Sequence, residues 1–406
     1  MPQSEAVLVT GAGATTPVGG DAAATWAALL AGTSGVRALS EEWAARVPVH
    51  VAAGLARDPA DELSRVEART LDRVEQVALV AAREAWRDAG APEADPVRVA
   101  VVIGTGTGGV LTTLAQDDVF ERSGARRLSP HTVPMLMPNG PAARVSMDLG
   151  AKGGARTPVS ACASGAEALA TGLDLIRAGR ADVVVAGGVE ACLHPFTLAA
   201  FAQMKALSPR DGDPAAVSRP FDTARSGFVM GEGGCVLVLE RAGFARARGA
   251  RVLGTLAGAA VGSSADHITA SDAGGQIAAI ELALRDAGLG PRDIGHVHAH
   301  ATSTPSGDLA EATAVRKAIG DHAPVSATKS TTGHMLGASG AVGALAALLA
   351  LRDGVAPAVR NLDELDPRVD LDVVRGENRT GRWGAALANS FGFGGHNVSL
   401  VFTGDH

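Results

Sequence analysis

A layered α/β fold is predicted by three features of the sequence. Short apolar runs that end in glycine alternate with alanine-rich amphipathic stretches, as strands and helices stacked in layers require. The chain has 406 residues and is 46% hydrophobic, enough to bury a large core, and its length corresponds to two or three domains. A charged, glycine-containing break at 241–251 divides it into a longer and a shorter part.

In chain order, the runs at 6–10, 99–103, 181–186, 235–240, 251–259, 296–300, 325–327 and 385–389 read as strands. Helical spacing of apolar residues marks 71–89, 167–180 and 276–287. The longest apolar run, 336–351, is short for a membrane span and rich in glycine and alanine, so it reads as a buried, closely packed helix. Both parts open with a strand that runs into glycine, VLVTGAGA and RVLGTLAGAAVG. That loose likeness hints at a duplication.

Composition narrows the function. A net charge of -7 argues against a general nucleic-acid binder. The start, MPQSEAVLVTGAGA, has no positive region before its apolar stretch and does not read as a signal peptide. Cys162, Cys192 and Cys235 form no CxxC pair and are odd in number, which fits a reducing cytoplasm better than a disulfide or zinc framework.

Two glycine-rich segments invite a nucleotide and do not hold one. Thr10-Gly11-Ala12-Gly13 follows a strand, but Thr16 stands where the dinucleotide fingerprint needs its third glycine, with Pro17 next to it. A short-chain dehydrogenase would also need a tyrosine, and the chain has none. Gly104-Thr105-Gly106-Thr107-Gly108-Gly109 lacks the Gly-Lys-Ser/Thr ending of a phosphate loop. Both read as structural turns.

Cys162 lies in Val159-Ser160-Ala161-Cys162-Ala163-Ser164-Gly165, directly before a helical run. Small residues permit a tight strand-to-helix turn, and a helix N-terminus favours a thiolate. The alternative is a buried structural thiol. His296, His298 and His300 alternate in a strand candidate, which would put them on one face, and lead into Ala301-Thr302-Ser303-Thr304-Pro305. Lys329 and His334 lie five residues apart in KSTTGH, and NSFGFGGHN offers exposed backbone amides in a glycine-rich turn. Singly these segments have plain readings: paired strand histidines, a helix entry, a hairpin turn.

Together, and in this order, they resemble the β-ketoacyl-acyl carrier protein synthases, specifically the elongating synthase II type in its actinobacterial form. VTGAGATTPVG, GRADVVVAGGVEA, SRPFDTARSGFVMGEGG, HAHATSTPSGD, KSTTGHMLGASGA and NSFGFGGHN carry the likeness over essentially the whole chain. The resemblance implies an α/β thiolase-like fold, with two similar halves in a five-layered α-β-α-β-α arrangement. Residues 1–250 would carry the nucleophilic cysteine, and 251–406 the two histidines and the gating loop.

It also implies roles for named residues. Cys162 would form a thioester with the growing acyl chain, and His300 and His334 would stabilise charge on the malonyl thioester oxygen without a metal. The backbone amides of Cys162 and Phe393 would form the oxyanion hole. Lys329 and Glu311 match a pair whose role is electrostatic and structural. Thr302 and Thr304 match positions that hold the phosphopantetheine arm, which acyl carrier protein delivers, with no other cofactor implied. Phe391 and Phe393 match the gating loop. Cys235 reads as a core strand residue, and Cys192 as lying beneath the floor of the site. No GxSxG elbow supports a hydrolase triad, and a thiolase would need a second catalytic cysteine after Cys235, where there is none.

Departures from the pattern matter as well. Ala301 replaces a glycine. Gly343 stands where a glutamate is usual; that carboxylate helps build a monovalent cation site or internal charge network, so no bound metal is expected. Thr107 replaces a bulkier isoleucine at an acyl-pocket position near Phe201. The carrier-protein docking patch retains Arg65, Arg69 and Lys205, while Val66 and Thr70 replace two basic residues. These departures leave open a ketosynthase of a type II polyketide or polyene pathway, paired with a chain-length factor instead of forming a homodimer. A noncatalytic partner subunit is disfavoured by the retained Cys162, His300 and His334. The expected setting is cytoplasmic, with neither nucleic acid nor membrane as partner.

Overall fold

The computed structural model describes residues 5–269 and 271–404; the reading of the chain start as no leader includes residues 1–4, outside the described residues. The main strands are β1 (Val7–Thr15), β2 (Val99–Gly104), β3 (Ala155–Arg156), β4 (Val183–Glu190), β5 (Gly233–Arg241), β6 (Gly254–Ser263), β7 (Ile294–His298), β8 (Val325–Ser326), β9 (Ala385–Gly392) and β10 (His396–Thr403). Hydrogen bonding orders them β8-β7-β9-β10-β6-β1-β5-β4-β2-β3. Each half, read inward from its outer edge, has two parallel pairings followed by two antiparallel ones. The two five-stranded sheets are therefore the same motif twice. They meet at a short antiparallel seam, Val7 to Val9 against Gly254 to Leu256.

Five layers follow from where the helices lie. Helix Arg73–Asp88 covers β1 and β5 on one outside, and Ala273–Ala287 covers β6 and β10 on the other, with Pro305–Ala318 beside it. Between the sheets, Ser164–Arg177 and Ser339–Asp353 pack on each other and on strands of both halves. This position explains the apolar run near 336. The span Leu336–Asp353 is long and apolar enough to cross a membrane, but 83% of it is buried inside the protein. Its small residues are a packing requirement: a Cβ on Gly340 would lie 2.8 Å from the Ala166 nitrogen, and close packing leaves no slack for it.

Two sequence readings change. The strand predicted at 296–300 stops at His298, so His300 does not share its face but lies in the loop beyond. Strand β10 was not predicted, because Asn397 and Ser399 interrupt its apolar residues. Both are nonetheless buried, since β10 lies between β9 and β6, and Ser399 Oγ donates to Asn389 Oδ1 at 2.9 Å. The break at 241–251 holds a short helix, Ala242–Ala247.

Candidate active site

Cys162 occupies a single 3-10 turn, Ala161–Ala163, that runs directly into helix Ser164–Arg177. Ala161 has φ +50°, a left-handed conformation that costs a non-glycine residue energy and persists where its surroundings enforce it. The enforcement is visible: Ser160 N–H donates to Ser164 Oγ at 2.9 Å, and Ser164 O–H donates to the Ala161 carbonyl at 2.7 Å. The sulfur is thereby fixed at the positive end of a fourteen-residue helix. Burial nevertheless pushes the thiol up to about 12, while Lys329 and the backbone N–H groups of Phe393 and Cys162 act in the opposite direction. The thiolate-favouring shift expected from the helix end is thus outweighed by desolvation. Alkylation of Cys162 by iodoacetamide should keep accelerating above about pH 9 instead of levelling near neutrality. A plateau near neutrality would show that the helix end and Lys329 outweigh burial.

The two histidines reach the thiol from the second half. His300 follows β7, and His334 follows the short helix Lys329–Thr332. Their rings stand edge to face with centroids 5.4 Å apart. Each has its Nδ1 atom occupied: that of His334 lies 2.9 Å from Ser339 Oγ, and that of His300 lies 3.4 Å from Lys329 Nζ. Ser339 Oγ already accepts from the Met335 N–H at 2.9 Å. With Ser339 and Lys329 donating to the two Nδ1 atoms, each Nε2 carries the proton and is a donor. Burial holds both imidazoles well below the usual range, with the Lys329 charge adding to the effect, so both are neutral near pH 7.

Lys329 and Glu311 form the layer behind them. Lys329 Nζ donates to the His300 carbonyl. Glu311, on helix Pro305–Ala318, accepts from the N–H groups of His300 at 2.7 Å and Ala301 at 2.6 Å, and from Asn389 Nδ2 at 3.2 Å. Burial pushes Glu311 up and Lys329 down, and each is drawn back by the charge of the other.

The β9–β10 hairpin closes one wall. A Cβ on Gly392 would lie 2.5 Å from the Ser160 carbonyl and 3.2 Å from the Cys162 nitrogen, so only glycine allows the hairpin to back onto the nucleophile turn. Phe391 packs edge-on to His300 with ring centroids 6.0 Å apart. On another wall, Thr302 and Thr304 place their hydroxyls 3.1 Å apart. Their strap is anchored by Asp308, which accepts from the N–H groups of Ser303 and Phe221. A cavity of about 710 Å³, open mouth included, contacts Cys162, His300, His334, Phe201, Thr302 and Phe393.

The structure thus brings Cys162, His300, His334, Glu311, Thr302, Thr304, Phe201, Phe391 and Phe393 to one cavity, with Lys329 immediately behind. Thr107 is not among the residues that contact this cavity, and its hydroxyl donates to Glu190 at 2.6 Å. Arg65 and Arg69 are exposed on helix Arg65–Thr70, and Lys205 is exposed after helix Pro195–Gln203. Among the described residues, none of the three has an ion-pair partner. Cys192 is fully buried in the apolar cluster that contains Cys162, and Cys235 lies in β5.

Sequence reasoning missed Glu190, Ser339 and Asn389. Glu190 is buried without a cation and is satisfied by neutral donors, among them the N–H groups of Gly106 at 2.8 Å and Gly337 at 3.0 Å. A signal existed, since Glu190 and Asn389 each interrupt a small or apolar strand end. At position 343, a Cβ would lie 2.9 Å from His298 Nδ1. The His298 imidazole fills the space a longer side chain would need, with its Nδ1 unpartnered and its Nε2 3.0 Å from Thr328 Oγ1. These residues do not fit a bound cation.

Residues 4–245 match the model of the β-ketoacyl synthase N-terminal domain, and residues 253–363 that of its C-terminal domain. The chain is 45% identical over 402 residues to the 3-oxoacyl-[acyl-carrier-protein] synthase 2 of Mycobacterium tuberculosis, covering 98% of this chain and 96% of the relative. Its structure is similar to the ishigamide ketosynthase/chain length factor, with TM-score 0.93, 30% identity and 99% and 100% of the two chains covered. It is also similar to AntDE:AntF, a type II PKS acyl-carrier protein in complex with its ketosynthase bound to the hexaketide, with TM-score 0.90, 28% identity and full coverage of both chains.

Proposed function

The chain belongs to the β-ketoacyl synthase family, and on that footing we propose that it elongates fatty acyl chains by condensing a Cys162-bound acyl group with malonyl carrier protein. The observation that carries this reading is the convergence of one thiol and two neutral imidazoles, both Nδ1 atoms occupied, in a cavity that also presents the Thr302 and Thr304 hydroxyls. Cys162 sulfur attacks the acyl thioester carbonyl; the new S–C bond forms, the carrier's S–C bond breaks, and the proton lost by Cys162 leaves with the carrier thiol. The N–H groups of Cys162 and Phe393 face the oxyanion of that step.

Malonyl carrier protein then enters, and its C–C bond to the carboxylate breaks with release of carbon dioxide. The electron pair passes into an enolate whose oxygen accepts from His300 and His334 Nε2–H. The enolate carbon attacks the acyl-cysteine carbonyl, the S–C bond to Cys162 breaks, the Cys162 thiolate takes up a proton from solvent, and the lengthened 3-oxoacyl chain remains on the carrier. Phe391 and Phe393 gate this second entry, and Lys329 with Glu311 holds the His300 loop. Arg65, Arg69 and Lys205 steer the acidic carrier more than they hold it.

The division into a half at 1–250 and a half at 251–406 assigns the nucleophile to one and the histidines to the other. We place the reaction in a homodimer in the cytoplasm. Exposed Met147 and Val159 flank the edge strand Ala155–Arg156, an unpaired edge suited to a second copy.

A second reading, a type II ketosynthase paired with a chain-length factor, is favoured by the likeness to the ishigamide ketosynthase/chain length factor. Purified protein incubated with malonyl carrier protein and carrier proteins bearing saturated or polyenyl chains separates the two. The elongation reading expects 3-oxoacyl products from saturated chains by this chain alone. Products only after addition of a homologous subunit would overturn it in favour of the second reading.

A further inference from the structure

Two turns from different halves of the chain meet on one buried carboxylate. Glu190 ends β4 and is fully buried. Its Oε2 accepts from the N–H groups of Gly106 at 2.8 Å and Gly337 at 3.0 Å. Its Oε1 accepts from the Thr107 hydroxyl at 2.6 Å, the Thr107 N–H at 3.2 Å and the Thr105 hydroxyl at 3.2 Å. Thr105 to Thr107 follow β2, whereas Gly337 lies in the turn Leu336–Ala338, just after His334. The approach is close: a Cβ on Gly337 would lie 2.6 Å from the Gly106 nitrogen.

The carboxylate does not contact the cavity, but the turn it holds does. Leu336 lines the cavity together with Cys162, shares a buried apolar cluster with Cys162, Leu198 and Phe228, and lies in a turn that packs on the nucleophile turn Ala161–Ala163. Its φ is +42°, a left-handed conformation that a leucine keeps only where its surroundings enforce it. The peptide that follows Leu336 has its N–H on Glu190, so that bond fixes the backbone on the C-terminal side of the strained residue. His334, two residues earlier, has separate supports: its N–H donates to the Val229 carbonyl at 2.7 Å, and its carbonyl accepts from the Gly231 N–H at 2.9 Å. Releasing Gly337 from Glu190 therefore frees Leu336 and leaves His334 held.

We infer that Glu190 is a positioning residue: it ties the turn after β2 to the turn after His334, and through that tie holds Leu336 as the wall that meets the acyl chain on Cys162. This rests on the condensing reading above, which puts an acyl chain there. The role requires reach more than charge. A side chain one methylene shorter cannot span both turns. An amide of the same length keeps the Gly106 and Gly337 N–H groups on its oxygen and donates to the two threonine hydroxyls, which reverse to accept.

The test compares Glu190→Asp, which keeps the charge and loses the reach, with Glu190→Gln, which keeps the reach and loses the charge. Acylation of Cys162 by decanoyl carrier protein is expected to slow about tenfold in Glu190→Asp, the range of one hydrogen bond to a charged group, and to stay within about threefold of wild type in Glu190→Gln. With acetyl carrier protein the Glu190→Asp loss should largely disappear, and decarboxylation of malonyl carrier protein should be retained, because His334 keeps its own supports. Equal losses on both donors and on decarboxylation, no loss at all, or a Glu190→Gln variant as slow as Glu190→Asp overturns the inference. Leu336→Ala leaves the carboxylate untouched and is expected to show the same dependence on chain length; an equal loss on the two donors overturns the inference even where Glu190→Asp does not fold. A further readout needs no carrier protein: the rate of Cys162 alkylation by N-decyl iodoacetamide relative to iodoacetamide should fall about tenfold from wild type to Glu190→Asp and hold in Glu190→Gln, and an unchanged ratio in Glu190→Asp overturns the inference. If wild-type enzyme makes no 3-oxo product but that ratio still falls, the condensing reading fails and the positioning of Leu336 stands.

Discussion

Cys162→Ala is expected to abolish the acyl-enzyme and lower condensation by at least about three orders of magnitude, because among the described residues no other thiol lines the cavity. Cys192 is buried, with its thiol held well above the usual range, and Cys235 lies in the core of β5. The fold should survive, since the sulfur is in a turn flanked by alanines and already held by the Ser160–Ser164 bonds. Intact-mass measurement after incubation with acyl carrier protein reads the adduct directly. An acyl adduct on Cys162→Ala would remove the residue from its assigned role.

The same variant separates the half-reactions. His300, His334 and their partners Lys329 and Ser339 do not depend on the sulfur, so decarboxylation of malonyl carrier protein should persist. His334→Ala should do the reverse, keeping the adduct and losing decarboxylation by roughly a hundredfold to a thousandfold, as removal of one oxyanion donor does.

Much of the site was legible because its chemistry is carried by residue types at fixed local spacing. A cysteine before a helix, histidines after a strand, and GFGG before another each survive as short motifs. Their meaning came from the set, since singly each fits a plain structural role. The parts that were not legible depend on long-range contact. His300 looked like the third member of an alternating strand, and only the pairing of β7 with β8 and β9 shows that the strand ends at His298. The acceptor of the Thr107 hydroxyl, Glu190, is 83 residues away in the chain. In the fold, apolar patterning located the strands buried on apolar faces and failed for β10, where Asn397 and Ser399 find polar partners inside the sheet.

Lys329→Met is expected to cost about 3–5 kcal/mol of stability, the usual penalty for leaving one member of a buried pair alone, and the cost should depend on pH. In the wild type, Lys329 and Glu311 share one proton in the folded state whether they are an ion pair or neutral. The unfolded chain also binds one proton on these two groups between their ordinary values, so the pair contributes little pH dependence there. Without the lysine, burial raises Glu311 further and the folded variant keeps a proton that the unfolded chain releases above the ordinary glutamate value. The sign is then fixed: a raised carboxyl favours the folded state less as pH rises. Denaturant melts of Lys329→Met should lose about 1.4 kcal/mol per pH unit relative to wild type between about pH 5.5 and 7.5, until Glu311 itself ionises. Glu311→Gln in the same background should remove that slope. It should also leave the total loss below the sum of the two single variants, because both hold the same loop, Glu311 by the His300 and Ala301 N–H groups and Lys329 by the His300 carbonyl. A pH-independent difference would mean that Glu311 is held ionised by its three hydrogen bonds alone, and that Lys329 serves His300 and not the carboxylate.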